Sequence, residues 1–230
     1  MPKGINGRQA ARSEVATSKV LEMALELFST QGYGATSMRQ IAEVCEQSVG
    51  NLYHHFGSKE AIFQRLIDDY WERLLDPEHP LQKVFVGANF PDDLEELAEA
   101  IEFTVEENKA SILLVFIDVI EFQGRHIRYF YENMADNFKA VYGKRFEDLR
   151  REGRLTEADP MVAVMVATRW LFYFFTVEKC FGVPMHFGMD AQQAVDGFIR
   201  ILRLGLLRQP DHETVGVESN GAEKHEGRTQ

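Results

Sequence analysis

Four short side chains in a row, Ser48, Val49, Gly50 and Asn51, are followed by Tyr53 and His54 one helical turn on. Their chemistry is contact with DNA rather than bond breaking. Small residues in a first turn let a helix backbone enter the major groove. An Asn at position 51 can hold an adenine edge through both amide atoms, and Val49 can pack on a thymine methyl. Tyr53 and His54 carry a hydroxyl and an imidazole suited to phosphate oxygens, and Lys59 adds its charge to the positive N-terminal end of the next helix. His54 and His55 are not read as a metal pair, because neighbours on a helix point about 100° apart and no third ligand sits nearby in sequence.

These groups need a scaffold of short helices, and the surrounding sequence supplies its signals. From about Ser13 to Thr30, Val20, Leu21, Ala24, Leu25, Leu27 and Phe28 recur at spacings of three and four, an amphipathic helix ended by Gly32 and Gly34. Ser37 with Gln40 forms a capping box for a second helix over 38–44, with Ile41 and Ala42 facing inward. Ser48 caps a third that ends at Gly57, and Ser58 opens a longer fourth, apolar at Ile62, Phe63, Leu66, Ile67, Tyr70, Trp71 and Leu74. Two helices joined by the turn at Cys45, Glu46 and Gln47 read as a helix-turn-helix.

The runs LELFSTQGYGATSMRQIAEV (25–44) and GNLYHHFGSKE (50–60) resemble the TetR family of transcriptional regulators over about Thr17 to Leu75. The resemblance implies an N-terminal three-helix DNA-binding domain and a divergent helical C-terminal domain that binds a ligand and dimerises. It also implies that Thr36, Ser37 and Arg39 touch the DNA backbone. One departure stands out: where the family has a small residue, Gly and an apolar residue in the turn, this chain has Cys45, Glu46 and Gln47. A left-handed Glu costs on the order of 1 kcal/mol relative to Gly, so either the turn differs or Glu46 faces away from phosphate.

Beyond the fourth helix, the segment 76–91 holds Pro77, Pro80, Gly87 and Pro91 and reads as a linker or irregular connection. Helices are expected at about 92–108, 110–123, 125–152, 159–181 and 190–208, with no strand. The fold class is therefore all-α. The expected division is a flexible basic arm (1–12), a DNA-binding domain (13–60), a ligand-binding and dimerisation domain (61–209) and a disordered polar tail (210–230). Dimerisation is assigned, as in the family, to the last two helices, through Met161, Val164, Met165, Thr168, Leu171, Phe172 and Phe175 on one and Ala194, Phe198, Ile201, Leu202, Gly205 and Leu206 on the other.

Charge supports this polarity. Residues 1–60 hold six Lys/Arg and six Asp/Glu, so the whole net charge of −11 lies beyond residue 60, where it repels DNA. The two cysteines, Cys45 and Cys180, form neither a CxxC pair nor a Cys/His cluster, and no apolar leader is visible; a reducing cytoplasm fits. The apolar windows 112–120 and 161–175 are too short for a membrane span or carry Asp118 and Arg169, and read as buried helices.

An effector site is expected among the C-terminal helices, lined by Phe116, Asp118, Glu121, Phe122, Arg169, Trp170 and Tyr173. Charges inside apolar runs are costly without partners, and Asp118 and Arg169 serve either a ligand or each other. The aromatic content suits a hydrophobic or amphipathic effector. No cofactor or metal is expected, and the absence of GxSxG, HExxH, P-loop and GxGxxG patterns argues against an enzyme. A helical ligand-binding protein with weak or no DNA binding is the alternative.

Overall fold

A computed structural model of the protein describes residues 4–209, with side chains from Val15 onward. The expected polar tail at 210–230 lies outside the described residues. The described helices are α1 (Gly4–Gln31), α2 (Met38–Val44), α3 (Val49–Phe56), α4 (Lys59–Leu74), α5 (Pro80–Gly87), α6 (Leu94–Glu107), α7 (Lys109–Phe122), α8 (Arg128–Arg151), α9 (Pro160–Lys179) and α10 (Ala191–Leu206). Among the described residues no strand occurs, only an isolated bridge between Leu155 and Leu207.

The helix ends follow local chemistry. Ser37 and Gln40 cap α2 reciprocally, the Gln40 amide donating to Ser37 Oγ at 3.2 Å and the Ser37 amide to Gln40 Oε1 at 2.8 Å. Ser48 accepts from the Asn51 amide at the start of α3, and Ser58 from the Ala61 amide at the start of α4. Gly57 between them takes φ +76°, which a side chain resists.

Two expectations are corrected here. Residues 4–12, expected as a flexible arm, continue α1. The segment 76–91, expected as a linker or irregular connection, contains α5 and buries Leu81 and Phe90. Pro80 marks a helix start, since a first-turn residue needs no amide proton.

Packing divides the apolar residues into two cores. The first joins Val20, Ala24 and Phe28 of α1, Ile41 of α2, Leu52 of α3 and Ile62, Phe63 and Ile67 of α4. Leu114 of α7 and Ile127 from the α7–α8 corner belong to it as well. Packing thus runs across residue 60, and the N-terminal head rests on α7 and the α7–α8 corner. The second core unites Tyr70 and Leu74 of α4 with Leu97 and Ile101 of α6, Tyr142 and Phe146 of α8, Val164, Leu171 and Phe174 of α9, and Ile199 of α10. Each fully buried side chain of this size contributes about 1.5–3 kcal/mol.

By length and composition α9 could cross a membrane, but its faces toward α6, α8 and α10 are filled.

Candidate nucleic-acid interface

The α2–α3 connection decides how the third helix is presented. Cys45 is buried and Glu46 takes φ +57°. The Glu46 amide donates to Glu43 O at 3.1 Å and the Gln47 amide to Ala42 O at 2.8 Å. This is a Schellman closure with Glu46 in the place that favours glycine. Glu46 holds the left-handed conformation despite its β-carbon, and its exposed carboxylate lies 3.9 Å from Lys19 Nζ. Burial pushes the Cys45 thiol pKa up, with Lys19 pulling the other way.

α3 sorts its side chains by angle. Leu52 is buried, and Val49 and Phe56 pack partly under the helix against the first core. Ser48, Gly50, Tyr53 and His54 are exposed, Tyr53 by 52%. A Cβ on Gly50 would meet nothing within 4 Å. Asn51 and His55 line a shallow depression against Ala16, Thr17 and Val20 of α1.

Several expected contacts are repositioned. Asn51 Nδ2 donates to Gln47 Oε1 at 2.8 Å, so the two-atom adenine contact is not available in this arrangement. Gln47, four residues earlier and read from sequence only as part of the turn, orients that amide; the spacing across the helix start was the available signal. Thr36 is buried, donating to Gly32 O at 2.9 Å and accepting from Gln31 Nε2 at 3.1 Å, and cannot present its hydroxyl to DNA. Lys59 turns inward: Nζ donates to Tyr33 O and Thr36 O, both at 2.7 Å, and sits 3.9 Å from the centroid of the Tyr33 ring. Burial pushes the Lys59 pKa down. Val49 is half-buried, so a thymine contact is left only its outer edge. Ser37 is exposed while its hydroxyl caps α2, and Arg39 is exposed.

The expected effector residues do not converge. Phe116, Arg169 and Tyr173 are exposed, and Arg169 reaches Met134 Sδ at 3.6 Å. Trp170 is stacked between Phe174 and Phe198, with centroids 4.9 and 4.0 Å away. Asp118 is fully buried and pairs with His126, not with Arg169. Glu121 is exposed and lies near Gly34, while Phe122 packs on Tyr33 and Phe63 of the head. A groove of about 460 Å³ opens elsewhere, between α1, α4 and the α6–α7 junction, over Leu21, Leu25 and Leu66 with Glu22, Asp69 and Glu107 around it.

Comparison with known proteins places these features in context. Residues 20–66 match the model for bacterial regulatory proteins of the tetR family. The transcriptional regulator UidR of Escherichia coli strain K12 is 29% identical over 140 residues, 60% of this chain and 68% of that protein. The regulator QacR of Staphylococcus aureus is 44% identical over 50 residues, 22% of this chain and 27% of its own length. A tetR-family regulatory protein from Rhodococcus RHA1 superposes with a TM-score of 0.57 at 20% identity, covering 83% of this chain and 96% of its own. The TetR-family regulator PfmR of Thermus thermophilus gives 0.57 at 24% identity, covering 82% and 99%. These two structures share the fold.

Proposed function

The chain belongs to the TetR family of DNA-binding transcriptional regulators, which are not enzymes, and from that premise we propose that it is a cytoplasmic homodimeric repressor released from a palindromic operator by a small hydrophobic or amphipathic effector. The observation that carries the DNA face is the outward surface of α3, where Ser48, Gly50, Tyr53 and His54 stand clear of the core. The contact set becomes Gly50 and Ser48 at the groove, with Ser37, Arg39, Tyr53 and His54 on phosphates. Asn51 acts through Gln47, and Thr36 and Lys59 shape the α1–α2 loop from within.

Two copies joined through α9 and α10 supply the two half-site readers that a palindrome requires. The faces assigned from sequence largely close the monomer, since Val164, Leu171, Phe175, Ala194 and Leu206 are buried. Of the residues assigned from sequence Ile201 faces outward, and the outward stripe joins it to Leu204 on α10 and to Val162, Val166 and Tyr173 on α9. An effector that binds one dimer geometry better than the other shifts the spacing of the two heads.

Gly50→Ala tests the DNA face. Because its Cβ has open space, the substitution leaves the fold intact or raises stability by about 0.5–1 kcal/mol through helix propensity. The same methyl obstructs backbone approach to the groove. The full chain is titrated with the duplex upstream of its own gene and with a random duplex, over several salt concentrations. A stable Gly50→Ala protein with weakened operator binding supports the reading; unchanged affinity, or no duplex bound by the parent chain at low salt, overturns it.

A further inference from the structure

Asp118, read from sequence as an effector group, sits instead where the sensor side meets the head. Its carboxylate is fully buried, accepting from His126 Nδ1 at 2.5 Å and from the His126 and Ile127 amides at 3.3 Å each. Among the described residues no Lys or Arg nitrogen lies within 4.0 Å of it. A buried carboxylate without a counter-charge is costly, and His126 is the group placed to supply one.

The other ring nitrogen, Nε2, lies 3.4 Å from Glu60 Oε1 in the first turn of α4, and Arg125 Nη2 reaches that same oxygen at 2.7 Å. The ring is wedged against Phe122 and Phe63, with centroids 4.6 and 5.7 Å away. An imidazole facing carboxylate oxygens at both nitrogens meets both as a donor only in its doubly protonated form. From Glu60 the path is covalent to Lys59, which grips the carbonyls of Tyr33 and Thr36, next to the Ser37 cap of α2.

Building on the DNA-binding reading, we infer that His126 is a positioning residue which, as an imidazolium between Asp118 and Glu60, latches the α7–α8 corner to the first turn of α4 and so sets the helix-turn-helix. The charged groups around it are Asp118 and Glu121 on α7, Arg125 at the corner, Lys59 and Glu60 on α4, and the Tyr33 phenol from the α1–α2 loop. Loss of the ring's second proton removes the positive charge between Asp118 and Glu60, leaves Glu60 to Arg125 alone, and loosens the first turn of α4. The proton is the two-state element that both ends of the path feel.

The test uses the full chain at two levels. Without DNA, nitrogen NMR of the ring at pH 7, assigned with His126→Gln, is expected to show both nitrogens protonated; a singly protonated ring overturns the inference. Hydrogen exchange in His126→Gln is expected to speed about tenfold at amides 33–38 and 59–63 with α9 unchanged. No change, or an equal change in α9, overturns it. Glu60→Gln, whose amide can meet a neutral ring, should retain protection and lose most of its pH dependence; a dependence as steep as the parent's speaks against the latch. On the upstream duplex, His126→Gln is expected to bind about tenfold more weakly, one decade in Kd, and parent-like binding overturns the inference. Should the parent bind no duplex, the regulator reading fails while NMR and exchange still decide the latch.

Discussion

Glu46 and Lys59 show how one side chain's surroundings change its meaning. Glu46 holds a left-handed conformation that a β-carbon disfavours, and its exposed ion-pair distance to Lys19 returns little. Glu46→Gly is therefore expected to stabilise the protein by about 1 kcal/mol, read by thermal unfolding. It also removes a negative charge beside the reading helix, so binding to specific and random duplex should tighten together. A change in sequence preference would contradict this. Lys59, a basic residue in a DNA-binding motif, reads as a phosphate contact until its amine is seen on two backbone carbonyls. Lys59→Met takes this donor from Thr36 O and leaves Tyr33 O only the Thr36 amide at 3.2 Å, and is expected to cost about 1–3 kcal/mol of stability. The loss should appear in urea unfolding of the free protein; a change confined to the salt slope of DNA binding would restore the phosphate role.

At the scale of elements, the start of α6 carries a fault that acid should relieve. Asp93 caps this helix without a side-chain cap bond; Oδ2 accepts from the Asn89 amide at 3.2 Å, while Oδ1 is buried without a hydrogen-bond partner. Burial pushes the Asp93 carboxyl pKa up, helped by Glu96 and Asp92 and opposed by backbone hydrogen bonds. Burial, and then the Asp93 charge, push the Tyr142 hydroxyl pKa up as well. A carboxyl whose pKa is raised in the fold binds its proton more tightly there than in the unfolded chain. Stability thus falls as pH rises from the unfolded value near 4 through the folded one, and the penalty is complete at neutral pH. Asp93→Asn, which keeps an acceptor for Asn89, is expected to raise Tm at pH 7 by about 2–4 °C. The gain should shrink as pH falls through the acid range, and a gain independent of pH would show that charge burial is not its source.

For the whole molecule, the remaining question is what covers the outward stripe of α9 and α10. Ile201 is 73% exposed, and Leu204, Val162 and Tyr173 each more than half. In the proposed dimer they form the centre of the contact, where hot-spot side chains lose about 1–3 kcal/mol or more on disruption. Ile201→Arg with Leu204→Glu is expected to yield a folded monomer by sedimentation with parent-like helicity, and to weaken binding to a two-half-site duplex far more than to a single half-site. A dimer unaffected by both changes would move the interface elsewhere.

Local order was legible in the sequence because it is written locally. Ser37 with Gln40, Ser48, Ser58 and Gly57 cap or stop helices through groups within a few residues, and the runs 25–44 and 50–60 carried the family resemblance. The helix at Pro80–Gly87 escaped because proline marks both breaks and helix starts, and only burial of Leu81 and Phe90 distinguishes them. Direction was decided by tertiary structure. Thr36, Asn51 and Lys59 have the right types for DNA contact, yet their polar atoms are drawn to Gly32, Gln47, Tyr33 and Thr36 because unpaired donors and acceptors near a core are expensive. Asp118 and His126, eight residues apart on either side of a left-handed turn, meet only because Gln123 and Gly124 reverse the chain. The residue types determined what chemistry the chain could perform, and the long-range packing of α7 against the head decided which groups face DNA and which hold the fold.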